Sequence, residues 1–183
     1  MFEVRSHDPS SSAKTPGTCG CLGRSTASGV FARSLYLYLE MKHRSNERVT
    51  MTFHAIFDLH PKPSSLDRRA LLRCIEECLD CGASCTACAD ANLGERDSAE
   101  LTRVTRVALD CADVCEATGR VVTRQTAPDL SLTRSLVEAC AAACLACAAE
   151  CDLHAAHHEH CRICAEICRQ CKRACDDLLA AIG

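Results

Sequence analysis

One spacing recurs from Cys74 to Cys175 and restricts what this chain can fold into. Cys74, Cys78, Cys81, Cys85 and Cys88 alternate steps of four and three residues, as do Cys140, Cys144, Cys147 and Cys151, and Cys161, Cys164, Cys168, Cys171 and Cys175; Cys111 and Cys115 add one step of four. An α-helix turns once every 3.6 residues, so positions three and four apart stack on one face. Each run is the seam of an amphipathic helix, at the positions that meet a partner helix. An ordinary bundle places Leu and Ile there; this one places thiols. Such a core holds a fold together weakly and soft metal ions strongly.

Of 18 cysteines in 183 residues, only Cys19 and Cys21 lie outside these runs. That density in a short secreted chain would suggest a disulfide scaffold. The N-terminus, MFEVRSHDPSSSAKTPG, carries no basic segment followed by an apolar one, so no secretory signal is visible and the expected location is the cytoplasm, where thiols stay reduced. Val30 to Leu39, interrupted by Arg33, is too short to span a bilayer, and no membrane partner is expected. Formal net charge is −3, with the basic excess in the first fifty residues and the acidic excess in the rest. No basic face with interleaved aromatics exists, and the last aromatic of the Phe, Tyr and Trp class is Phe57, so nucleic acid is not an expected partner. A thioredoxin-type redox enzyme would set its CxxC near a βαβ pattern, and none is visible.

Residues 1–50 are rich in Ser, Thr, Gly and Pro in their first part and read as a low-complexity, disordered extension, with Met51 as an alternative start of the chain proper. Cys19 and Cys21 form a C-x-C pair within it, for which no function is expected. Residues 51–183 read as the Cys-rich domain: all-α, an antiparallel up-down-up-down four-helix bundle with a Cys-lined core. The expected helices are Ser65 to Ala91 with Ser64 or Ser65 as N-cap, Asp97 to Arg124, Asp129 to His154 with Pro128 in its first turn, and Glu159 to Ala181. The connections are short, so neighbours run antiparallel and the four seams converge into a tube of sulfur. Cys74 to Cys88 extends it over about 21 Å.

The topology gives the tube two different ends. One holds Cys88, Cys151 and Cys161 with His154, His157, His158 and His160. His154 continues the seam of the third helix and His157 that of the fourth, so both are expected to point at the mouth. His158 and His160 are more ambiguous, since either can merely cap the last helix. At this end Asn92 and Val104 occupy seam positions without thiols. The other end, at Cys74, Cys140 and Cys175, is expected to be closed by Leu178 and Ile182.

Thiolates suit Cu(I), Zn(II) and iron–sulfur clusters. One Cu(I) per thiolate leaves a neutral interior, whereas Zn(II) with four thiolates leaves two negative charges per site where unpaired charge is costly. A continuous seam has no natural division into the closed sets of four that structural zinc uses. The helical spacing also differs from the loop that wraps an iron–sulfur cluster. The expected ligand is therefore Cu(I), several ions per chain, held by the sixteen seam cysteines with the four histidines at the mouth. A zinc or general thiol-metal buffer is the alternative; a thiol–disulfide redox protein and a disulfide-stapled scaffold are more distant ones.

Three segments carry a family resemblance: LDCGASCTACADAN at Leu79–Asn92, LDCADVCEATG at Leu109–Gly119 and HAAHHEHCRICAEICRQCKRAC at His154–Cys175. From about Met51 onward the chain resembles the bacterial four-helix-bundle copper storage proteins, in particular their cytosolic branch. The resemblance implies many Cu(I) ions on Cys thiolates inside the bundle, His-assisted entry at the open end, a homotetramer, and no catalytic turnover. Release would need a copper chaperone or chelator. Asn92 and Val104 depart from the pattern at positions that are often Cys in relatives.

Overall fold

The computed structural model describes residues 53–62 and 64–183. The expected N-terminal extension, with Cys19 and Cys21, lies outside the described residues. A short helical segment at 53–58 precedes four long helices: α1 (Arg68–Gly94), α2 (Thr102–Val122), α3 (Leu130–Asp152) and α4 (Glu159–Ile182). Among the described residues there is no strand.

The helix ends follow local chemistry rather than the expected boundaries. Asp67, not Ser64 or Ser65, caps α1, its carboxylate accepting from the Ala70 amide at 2.7 Å. Ser64 instead accepts from Leu66 N in the turn before it. The α2 helix starts at Thr102, five residues later than expected: Glu100 N and Leu101 N bond three residues back, and the tight turns deliver Leu101 to the core, where it is 1 % exposed. Asp129 caps α3 with two amide bonds, which places Pro128 outside the helix. Ala127 before it has φ +51°, the left-handed region that non-glycine residues rarely adopt. The α3 helix stops at Asp152, and residues 153–157 form successive tight turns.

Sulfur pairs across the core establish the relative directions of the helices. Cys78, Cys81 and Cys85 of α1 meet Cys140, Cys144 and Cys147 of α3 in ascending order, so these two helices are parallel. Cys81 and Cys85 meet Cys168 and Cys164 of α4 in descending order, and Cys111 and Cys115 of α2 meet Cys144 and Cys140, so neighbours are antiparallel. This is the expected up-down-up-down arrangement.

Close approach is possible because the side chains between the helices are small. A Cβ on Gly82 of α1 would lie 2.7 Å from Glu116 Cγ and 3.3 Å from the Ala112 carbonyl of α2. Gly82→Leu is expected to push α1 and α2 apart and to destabilise the copper-free protein by about 1–3 kcal/mol. Urea denaturation of the reduced chain measures this.

Leu71, Ile75, Val137 and Leu178, all 0 % exposed, fill the closed end. Phe53, Phe57, Leu66 and Ile182 pack against the core cluster as partly buried residues. Leu178 is therefore the seal expected, and Ile182 contributes from its margin.

Candidate metal centre

All sixteen seam cysteines are buried free thiols. Neighbouring sulfurs lie 3.5–4.0 Å apart, from Cys85–Cys168 at 3.5 Å to Cys147–Cys151 at 4.0 Å. A disulfide needs about 2.05 Å, so these are contacts between separate thiols. Compact groups of four sulfurs follow one another along the tube, among them Cys78, Cys140, Cys171 and Cys175; Cys81, Cys115, Cys144 and Cys171; Cys81, Cys85, Cys111 and Cys168; and Cys85, Cys147, Cys164 and Cys168. The groups overlap. Cys81, Cys85, Cys168 and Cys171 each belong to two of them. Shared sulfurs do not form separate, private ligand sets; they suit a cluster in which sulfurs bridge neighbouring ions.

The α2 helix contributes least, as its sequence implies. Val104 and Ala108, both 0 % exposed, fill the seam below Cys111 and Cys115 with apolar surface.

Hydrogen bonds between thiols divide the protons unequally. At the closed end, bonds first from Cys175 and then from Cys78 hold Cys74 down at about 5, against the effect of burial. Midway, a bond from Cys115 favours the Cys111 thiolate, and the same contact pushes Cys115 up. Near the mouth, burial pushes Cys161 up, more than bonds from Cys88 and Cys151 pull it down.

The mouth differs from the expected one in which histidines it uses. Because α3 ends at Asp152 and α4 begins at Glu159, position 157 lies on no helical seam, and His157 is exposed. His154 sits in the turn after α3 as a half-buried residue. His158 occupies the N-cap of α4 without a side-chain capping bond. His160 is the ring that reaches the thiols, forming a compact group with Cys88 and Cys161. Asn92 belongs to the same structure. It is 0 % exposed, its Oδ1 lies 3.0 Å from His160 Nε2 and accepts from the Cys161 thiol at 3.5 Å, and its buried Nδ2 has no partner. It ends no helix; it stands inside the last turn of α1 as a polar residue in the seam.

Residues 67–180 match the copper storage protein family. The chain belongs to that family. Among solved structures, the copper storage protein Ccsp from Streptomyces lividans loaded with 10 copper equivalents is 50% identical, covering 70% of this chain and 98% of its own, with a TM-score of 0.69. A structure of a cytosolic copper storage protein from Streptomyces lividans with five coppers is 55% identical over 63% of this chain and 97% of its own, with a TM-score of 0.62. An uncharacterized cysteine-rich protein, YhjQ of Bacillus subtilis, is 35% identical over 58% of this chain and 94% of its own. The part of the chain that matches the copper storage family model contains every seam cysteine and all four mouth histidines.

Proposed function

We propose that this copper storage protein holds several Cu(I) ions in the cytoplasm on the sixteen seam thiolates, Cys74 to Cys175, and exchanges them through the His154–His160 end. The observation that carries the reading is the overlap of the sulfur groups: Cys81, Cys85, Cys168 and Cys171 each serve two. Bridging of this kind suits Cu(I), which needs few sulfurs and leaves the buried tube neutral, better than Zn(II), which needs a closed set of four. The cytoplasmic assignment rests on the reduced thiols and on the Streptomyces lividans relative described as cytosolic.

Entry falls to the mouth because the other end is plugged by Leu71 and Leu178. A Cu(I) ion passing His154, His158 and His160 would exchange water for imidazole and then for the Cys88 and Cys161 sulfurs. His157 supports this only as an exposed first contact. The role is storage without turnover, with all sixteen sulfurs buried in the bundle. Homotetramer formation is part of the same reading, and exposed apolar residues on both flanks of α3 support it, Leu132 at 51% and Leu145 at 57% exposed. Transfer from or to a copper chaperone or small chelator completes it.

Titration of the reduced protein with Cu(I) against a competing chelator tests the reading; saturation at one or two ions, or equally tight Zn(II) loading, would contradict it.

The pH dependence has a definite sign. Cys161, pushed up by burial, is protonated near neutrality and must lose a proton when it binds copper. Cys74, held down by bonds from Cys175 and Cys78, gives up its proton more readily than an ordinary thiol. Chelator competition is expected to show weaker loading at pH 6 than at pH 8. In unbuffered titrations, proton release should be fewer than one per thiol engaged.

A further inference from the structure

A surface groove between α3 and α4 approaches the tube from its flank. It holds about 120 Å³; Cys144, Ala148 and Ala149 of α3 are in its lining, and Asp152, Arg169 and Lys172 supply its charged groups. An apolar cavity of about 150 Å³ takes in a benzene-sized molecule, so a ligand of a few heavy atoms fits a groove of this size.

Cys144 belongs to the groove and to the tube at once. Its Sγ lies 3.5 Å from Cys115 Sγ and 3.9 Å from the sulfurs of Cys81 and Cys111. It forms one of the compact sulfur groups with Cys81, Cys115 and Cys171. At this residue the groove and the sulfur tube share a wall. Cys144 is 0% exposed and Ala148 3% exposed, so the wall is shut at rest, but no large side chain thickens it on the α3 side.

Two cations and one carboxylate line the groove. Arg169 of α4 is paired with Asp152 of α3, and Glu166 Oε2 stands 3.8 Å from Arg169 Nη1. Lys172 Nζ lies 2.6 Å from Asp176 Oδ2 on its own helix. A guanidinium has five N–H donors and an ammonium three, so both cations keep donors beyond these pairs. An anion in the groove would compete with Asp152 for Arg169, and that ion pair ties α3 to α4 at this level.

We propose that this groove is a side port at which a small anionic thiol withdraws Cu(I) from the Cys144 level of the tube. The inference rests on the storage reading and adds a route of release separate from the mouth. The ligand is a thiol because only a soft donor competes with thiolates for Cu(I). It is anionic because the cations in the lining outnumber the carboxylate. The incoming sulfur forms a bond to Cu(I) as the bond from Cys144 Sγ breaks. The proton of the incoming thiol passes to Cys144 Sγ, and copper remains Cu(I) throughout.

The test uses the copper-saturated full chain under anaerobic, low-salt conditions, with a chromogenic Cu(I) chelator as final acceptor. Release is driven by 2-mercaptoethanesulfonate or by cysteamine, thiols of similar size and opposite charge, at equal thiolate concentration. The sulfonate is expected to act about tenfold faster, with the advantage shrinking in high salt and lost in Arg169→Gln/Lys172→Gln. Ala149→Trp adds bulk at an exposed position of the groove. It should slow thiol-driven release to the rate of the chelator alone, with loading from Cu(I)–acetonitrile and the saturated copper count unchanged. Equal rates for the two thiols, an advantage that survives in Arg169→Gln/Lys172→Gln, or unchanged release in Ala149→Trp would overturn the port. A changed assembly size in Ala149→Trp would place a second copy on the groove and overturn it as well. Failure of the storage reading shows separately, as a chain that saturates at one or two ions.

Discussion

Replacing Cys85 with Ser is expected to remove more than one copper ion from the saturated protein. Cys85 Sγ has Cys147, Cys164 and Cys168 within 3.9 Å across the core and Cys81 at 3.8 Å along its own helix. It belongs to two overlapping sulfur groups. If each ion had a private set of ligands, one lost thiol would cost one ion. With shared sulfurs, one lost thiol weakens every ion it bridges, and the losses of Cys85→Ser and Cys168→Ser should not add when combined, because the two serve the same groups. Fold is expected to survive, since Ser is close to Cys in size and the helices keep their other contacts. Native mass spectrometry of copper-saturated variants counts the ions directly. Loss of a single ion from Cys85→Ser, with strict additivity in the double variant, would contradict a bridged cluster.

The second large effect concerns the fold without metal. Leu178→Ala is expected to destabilise the copper-free, reduced protein by about 2–5 kcal/mol. Leu178 is fully buried, and the closed end is where large apolar side chains are concentrated; along most of the seam the buried positions are Cys and Ala. A deletion there removes a large part of the conventional core. Bound copper acts as a ligand of the native state, each ion adding about 4 kcal/mol when free ligand stands a thousandfold above its dissociation constant. Copper should thus raise the stability of wild type and variant alike, so that loaded Leu178→Ala unfolds well above the copper-free variant. Thermal unfolding of the variant, with and without copper, measures both. No rise in unfolding temperature on copper loading would mean that copper does not stabilise the native fold.

The features that were legible in the amino-acid sequence are those set by periodicity. Alternating steps of three and four gave the seams, the seams gave the four helices, and the short connections gave the antiparallel order that the Cys85–Cys147 and Cys85–Cys164 contacts bear out. Helix ends were less legible, because capping depends on which of several polar residues the backbone reaches. Asp67 displaced Ser64 and Ser65, and burial of Leu101 delayed α2 to Thr102.

The mouth was the least legible part. Extending the α4 seam backward pointed to His157, but the extension assumes a helix where residues 153–157 turn, and the ring that meets Cys88 and Cys161 is His160. His160 lies one residue before Cys161 but four before Cys164, a seam step that the extension back from Cys161 passed over. Asn92 was visible as a seam position without a thiol; its contacts with His160 and Cys161 come only from the packing of α1 on α4.

The central claim is that the tube stores Cu(I). Its most direct test is the metal and thiol content of the protein purified anaerobically from copper-fed cells, read by native mass spectrometry. The expected species carries many copper ions per chain, little zinc and no disulfides. A chain holding one or two ions, filled with zinc, or cross-linked by disulfides would contradict it.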